Sequence, residues 1–142
     1  MIYQKELFLR TERYQEYVKI TGQVEQIVVE SGIRDGLVTV LSKHTTAGIT
    51  VNEGLECLES DIETFLGRLV PEDGDYSHAR MLRSYGSTAG NPTGHLRALL
   101  TGNHCHFSLS GRRLIRGNAQ EIYFCEFDGP AVRDILVMVQ GE

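Results

Sequence analysis

Apolar residues along the chain change their period several times, and each change marks an element. Residues 2–10 alternate loosely, with Leu7 and Leu9 opposite Phe8, and predict a first strand; Tyr14 to Ile20 predicts a second. From Thr21 the spacing lengthens. Val24, Ile27 and Val28 recur at helical intervals up to Ser31-Gly32, so a short amphipathic helix is expected, with Thr21 as its N-cap and Gly32 just past its end. Leu37-Val38-Thr39-Val40-Leu41, opened by the turn pair Asp35-Gly36, reads as a buried strand, and Ile49 and Val51 alternating with Thr50 and Asn52 read as the next. After Gly54, Leu55, Leu58, Ile62, Phe65, Leu66 and Leu69 form a helical stripe that Pro71 ends. Residues 72–94 are rich in glycine, proline and polar residues and predict a long irregular segment containing Gly74, Tyr76, Tyr85, Gly86 and Gly90. A third helix is expected from His95 to Leu100, taking its core contacts from Leu96, Leu99 and Leu100 and stopping at Gly102. Alternation then returns in Cys105, Phe107 and Leu109 against His104, His106 and Ser108, in residues 120–127 and in residues 135–139. The fold class that follows is α+β, predominantly β, in a single domain over residues 1–142.

Bulk properties narrow the functional classes. At 142 residues, 41% hydrophobic and 23% charged, the chain has the length and composition of an ordinary globular domain. No apolar run approaches a membrane span and the first residues show no basic-then-apolar leader, so a cytoplasmic location without membrane association is expected. A net charge of -5 argues against a nucleic-acid partner. Arg112, Arg113 and Arg116 run against that balance, and two readings fit them: a solvated turn or an anion clamp for a phosphorylated ligand. Cys57, Cys105 and Cys125 share no metal or disulfide spacing and read as buried free thiols.

Candidate chemistry concentrates after the strand at 37–41, where His44-Thr45-Thr46-Ala47-Gly48-Ile49-Thr50-Val51-Asn52-Glu53 brings together imidazole, hydroxyl, amide and carboxylate groups. A polar turn between strands with a surface histidine fits the same run. Of the five histidines, His44, His78 and His95 lie at element ends or in the irregular segment, where sites are usually built on a rigid scaffold. Three neutral imidazoles with an open position suit zinc or another divalent metal able to activate water or polarise a phosphoryl oxygen. Glu53 and Glu126 are candidate acid/base partners. His104 and His106 share one strand face and form a competing chelate, or simply an exposed edge. Neither a Gly-x-Ser-x-Gly elbow nor a Walker loop is present.

Taken in order, the HTTAGITVNEG run at 44–54, Tyr76-Ser77-His78, Gly90-Asn91 with His95-Leu96, Gly117-Asn118-Ala119-Gln120 and Glu126-Phe127-Asp128-Gly129-Pro130 resemble the YjbQ-like family, also called secondary thiamine-phosphate synthase enzymes. The resemblance implies a jelly-roll-like β-sandwich with two or three helices on one side, assembled as a homotrimer. It implies a reaction joining a pyrimidine pyrophosphate to a thiazole phosphate; the alternative is a non-catalytic trimer binding a metal or phosphorylated metabolite. It places the family's site positions on His44, Asn52, Glu53, His78, His95 and Gln120; joined with the readings above, His44, Asn52, Glu53, His78, Asn91 and Gln120 are expected to be catalytic, His44, His78 and His95 to hold a metal, and Thr45, Thr46, Arg113, Arg116 and Glu126 to contact substrate. Two departures bear on the pocket. Ala119 stands where the family usually has tryptophan, and the spacing from Gly111 to Gly117 is one residue longer than the family's.

Overall fold

The computed structural model describes residues 1–80 and 91–142. Among them the order is β1 (Ile2–Arg10), β2 (Glu16–Lys19), α1 (Thr21–Ser31), β3 (Gly36–Ser42), β4 (Ala47–Glu53), α2 (Glu56–Leu69), α3 (Ser77–Arg80), α4 (Pro92–Thr101), β5 (His104–Ser110), β6 (Arg113–Leu114), β7 (Gln120–Glu126) and β8 (Val132–Gly141). The strands form two antiparallel sheets, β1-β8-β3-β5-β6 and β2-β7-β4. Alternation along β3 and β8 points Val38, Val40, Ile135, Val137 and Val139 inward, where they meet Ile49, Ile122 and Phe124 of the smaller sheet. This is the expected sandwich, and each fully buried side chain of this size contributes about 1.5–3 kcal/mol.

The helices divide between two places. Val24, Ile27 and Val28 of α1 join the core between the sheets, whereas α2 and α4 cover the outer face of the smaller sheet through Leu66 and Ala98. The reason lies in β7, whose Ile122 and Phe124 face inward while Tyr123 and Cys125 face the helices. A strand apolar on both faces must be covered on both.

Three local expectations are corrected. Thr21 is not the N-cap of α1: Ile20 holds that position without a side-chain cap. The Thr21 hydroxyl is used sideways, donating to the Glu121 carboxylate and accepting the Ile122 N–H at 2.9 Å. Gly32 does terminate the helix in the left-handed region, at φ 69°. In α4, Leu96, Leu99 and Leu100 face outward, Leu99 being 75% exposed, and the buried residues are Thr93, Gly94, Arg97 and Ala98. Close packing selects small residues there, since a Cβ on Gly94 would lie 2.9 Å from the Phe127 carbonyl oxygen and one on Gly48 would lie 2.0 Å from Thr101 Oγ1. In α2 the apolar stripe splits: Leu66 is buried and Ile62 packs beside it, but Leu55, Phe65 and Leu69 are exposed.

Within the segment read as irregular, α3 and the first turn of α4 are helical. Its middle, with Tyr85, Gly86 and Gly90, lies outside the described residues. The three cysteines are free; Cys125 is buried and Cys105 half-buried, but Cys57 is exposed on α2. Burial pushes the Cys125 thiol up to about 12 and that of Cys105 to about 11, which leaves both as protonated packing groups. No helix among the described residues is long and apolar enough to cross a membrane.

Candidate functional site around His95

His95 sits in the second turn of α4, between two adjoining cavities. One, of about 490 Å³, is lined by His44, Thr45, His95, Leu96, Leu99 and Asn103 among others. The other, of about 380 Å³, is lined by Tyr76, Ser77, His78, Pro92, His95 and Leu96. The structure thus joins the three sequence-predicted histidines through His95, with His44 on one side and His78 on the other.

His78 is held by a chain of hydrogen bonds. The Asn91 amide donates to Asp128 Oδ2 at 2.7 Å, which turns its carbonyl oxygen toward His78 Nε2 at 3.1 Å. Since that oxygen only accepts, His78 donates from Nε2 and keeps a lone pair on Nδ1. Asn91 occupies the N-cap position of α4 without capping it, because both ends of its amide are already engaged. The His78 and His95 rings meet edge to face with centroids 5.0 Å apart.

His44 lies on the turn between β3 and β4. The Asp134 backbone N–H donates to His44 Nε2 at 3.0 Å, and Asp134 Oδ1 approaches the same nitrogen at 3.2 Å. The two contacts exclude each other in one tautomer. A backbone amide can only donate, so the neutral ring accepts at Nε2 and carries its proton on Nδ1. His44 therefore offers a donor, not a second lone pair.

Those nitrogens decide how a metal fits. Two imidazoles ligating one zinc at ~2.0–2.1 Å set their ring centres roughly 4.5–5.2 Å apart, the separation seen for His78 and His95. The two rings have that spacing, and Asn91 and Asp128 fix His78 as outer-shell partners do. Among the described residues no group of three or more His, Cys, Asp or Glu side chains is placed to hold a metal ion. His104 and His106 have a similar ring spacing, 5.1 Å, but line neither cavity and stand on the open face of the larger sheet.

Behind the cavities lies a buried ion pair. Glu126 is fully buried; its oxygens accept from Thr11 Oγ1 at 2.7 Å, Arg133 Nε at 2.8 Å, the Asp128 N–H at 3.0 Å and the second Arg133 nitrogen. Burial alone would raise its pKa, but the hydrogen bonds from Arg133, Thr11 and Asp128, with the Arg133 charge, hold the carboxyl below its usual range. Arg133 also donates to Thr46 Oγ1 at 3.2 Å. Glu126 and Thr46, both predicted to touch substrate, thus fasten the start of β4 to β8 and to the loop that carries Asp128.

The remaining predicted residues stand at the other end of the sandwich. In the β4–β7 register Ala47 pairs with Glu126, whereas Asn52 pairs with Glu121 and Glu53 with Gln120. Six residue steps separate these ends, roughly 20 Å. There Asn52 Oδ1 accepts the Glu53 N–H at 2.9 Å, Gln120 Oε1 accepts the Gly117 N–H at 2.8 Å, and Arg116 donates to the Gln120 carbonyl. Arg113 and Arg116 line a groove on that side. Sequence reasoning missed Asp128, Asp134 and Arg133. The only local signal was Asp128 within Glu126-Phe127-Asp128-Gly129-Pro130.

An antiparallel β-sandwich with helices over its smaller sheet and a cavity lined by histidines at one end defines the class of protein. The sequence model of the UPF0047 protein YjbQ-like family matches residues 5–142, and the chain belongs to that family. A UPF0047 protein of Methanothermobacter thermautotrophicus is 38% identical over 99% of this chain and 94% of its own length. The UPF0047 protein YugU of Bacillus subtilis is 34% identical over 96% of this chain and 98% of its own. The crystal structure of a YbjQ-like protein of unknown function from Sulfolobus solfataricus superposes with a TM-score of 0.90 at 34% identity, covering 100% of this chain and 99% of that one.

Proposed function

We propose that the chain is an enzyme acting on a small phosphorylated heteroaromatic compound in the cavities around His95, by chemistry similar to thiamine-phosphate synthesis. The observation that carries this reading is the Asp128–Asn91–His78 chain of hydrogen bonds ending against His95. One imidazole locked through an amide to a distant carboxylate, and set against a second imidazole, is a preorganised constellation that a merely solvated surface does not need.

The transfer breaks the bond between the methylene carbon of a pyrimidine diphosphate ester and its diphosphate oxygen. A thiazole phosphate donates its ring-nitrogen pair to that carbon, forming the C–N bond, and diphosphate departs with the electrons of the broken bond. The chain's part is to bind, orient and neutralise. The Nδ1–H of His44 has no protein acceptor among the described residues and is a donor for the departing anion. Leu96 and Leu99 give the same cavity an apolar wall against the ring. A divalent cation held by His78 and His95 would supply charge neutralisation at the diphosphate.

The reading includes a homotrimer, which two observations favour. Leu96, Leu99 and Leu100 on α4, with Phe65 and Leu69 on α2, leave large apolar side chains exposed on the helical layer. The Asn52, Glu53 and Gln120 end also stands roughly 20 Å from the histidines of its own chain, and a neighbouring copy would bring a second such end within reach.

Diphosphate release from the pyrimidine ester, measured with and without thiazole phosphate and with added zinc, manganese or magnesium, tests the proposal. Turnover that falls by about 100-fold or more in His95→Ala supports it. Substrate binding with no turnover under any metal would assign the chain to binding alone.

A further inference from the structure

We infer that the chain carries a second ligand site, independent of the histidine cavities: a phosphate-binding groove built on the β5–β6 hairpin and α1. The groove encloses about 520 Å³ and is lined by Arg112, Arg113 and Arg116 with Glu25, Val29 and Leu114 among its walls. Three guanidiniums against one carboxylate make it locally positive on a chain whose net charge is -5. It belongs to the end of β3 that begins at Gly36, which pairs with Leu109, while His44 follows the opposite end at Ser42.

The hairpin that presents the arginines is unusual. Ser110 pairs with Arg113, so Gly111 and Arg112 form a two-residue loop, with φ of 58° and 67°. Both central residues of this turn type need positive φ, which favours glycine or asparagine. Arginine at the second position is a strained choice in a place where glycine would be easier. Strain of this kind collects where a side chain has work to do. The turn is also held rigid from the neighbouring loop, since the Gly111 N–H donates to Asp35 Oδ1 at 2.9 Å and the Arg112 N–H to the Arg34 carbonyl at 2.8 Å.

The guanidiniums differ in occupancy. Arg116 is steered by the Gln120 carbonyl and by Glu25, whose carboxylate lies 3.5 Å away, with its side chain only 26% exposed. Arg112 and Arg113 have no anionic partner among the described residues. Two free forks beside a third, fixed one match the several oxygens of a phosphate or diphosphate group, which accept paired N–H donors. Exposed Val29 and half-buried Leu114 in the same wall give an organic portion of the ligand an apolar surface. Glu25 is the built-in competitor: an incoming anion must share Arg116 with it.

The test is calorimetric titration of the full chain with inorganic pyrophosphate, with sulfate at matched ionic strength as control, on wild type, Arg112→Gly, Arg113→Ala, Glu25→Gln and His95→Ala. In metal-free buffer containing EDTA, where no cation holds pyrophosphate at the histidines, the groove predicts saturable binding that weakens roughly 10-fold in Arg112→Gly and in Arg113→Ala, tightens in Glu25→Gln and is unchanged in His95→Ala. It also predicts that Arg112→Gly melts at a higher temperature than wild type, because glycine relieves the turn while the anion contact is lost. Binding that survives both arginine changes, that disappears in His95→Ala, or that sulfate matches at equal ionic strength would overturn the inference. The His95→Ala arm keeps its failure distinct from that of the proposed reaction.

Discussion

The two ends of the sandwich hold their polar groups in different ways. At the histidine end each group is tied across the fold: His44 to Asp134, His78 through Asn91 to Asp128, and Thr46 through Arg133 to Glu126. At the other end the ties are local, as between Asn52 and Glu53 or Gln120 and Gly117, and the side chains stand in solvent. The first end is preorganised by its ties to the core. The second holds Asn52 and Gln120 through their own turns, with Arg116 reaching Glu25 of α1, and presents its side chains to a ligand or another copy. Preorganisation by buried charge is the costlier arrangement, since an ion taken out of water is stable only while its partners stay in place.

Breaking the keystone gives the largest expected effect. Glu126→Ala leaves Arg133 buried without its counter-ion and is expected to destabilise the fold by about 3–5 kcal/mol in urea unfolding, while Glu126→Leu with Arg133→Met recovers most of that. Equal stability of the single and double variants would remove the distinction drawn between the two ends.

The same pair sets an acid limb. Because the folded-state pKa of Glu126 lies below its ordinary value of 4.5, the carboxylate adds stability that is complete above that value and is lost as pH falls through the folded value. Thermal melts from pH 7 downward should therefore show a loss of stability in acid that is shallower in Glu126→Gln. An identical acid limb in the variant would assign the loss to other carboxylates.

A subtler change separates positioning from packing. Asp128→Asn removes the charge that orients the Asn91 amide, and zinc affinity is expected to fall roughly 10- to 100-fold with little change in stability. Full occupancy of the site at saturating zinc, with an unchanged melting temperature of the metal-free protein, is the signature of a positioning role. Smallest of all, Asn52→Ala removes one exposed contact to its own neighbour and should change stability by no more than about 0.5 kcal/mol in the same unfolding experiment.

Periodicity was a good guide wherever one face of an element is apolar and the other wet. β1, β3, β4, β5, β7 and β8 and the span of α1 follow from it, with Gly32 as its terminator. It misled on α4, where the leucines mark the outer face and the inner face is made by Gly94, Arg97 and Ala98. Close approach of a helix to β4 demands small residues, and a buried arginine whose terminal nitrogens donate to Glu72 and the Val70 carbonyl counts as polar in any hydrophobicity pattern. At the site, ordered motifs made the histidines legible. Their partners were not, because Asn91 lies 37 residues from Asp128, and His44 lies 90 from Asp134. Nor did the run from His44 to Glu53 reveal that a strand carries its two ends to opposite sides of the molecule.

The central claim is that His78 and His95, and not the exposed His104 and His106, form the working imidazole pair. Ring-nitrogen NMR of the histidines during titration with zinc tests it most directly, because each imidazole reports its own ligation. The account predicts that the His78 Nδ1 and His95 ring signals move first and saturate together, with His78 Nε2 still protonated toward Asn91. Early saturation at His104 and His106 with His78 and His95 unmoved would contradict it.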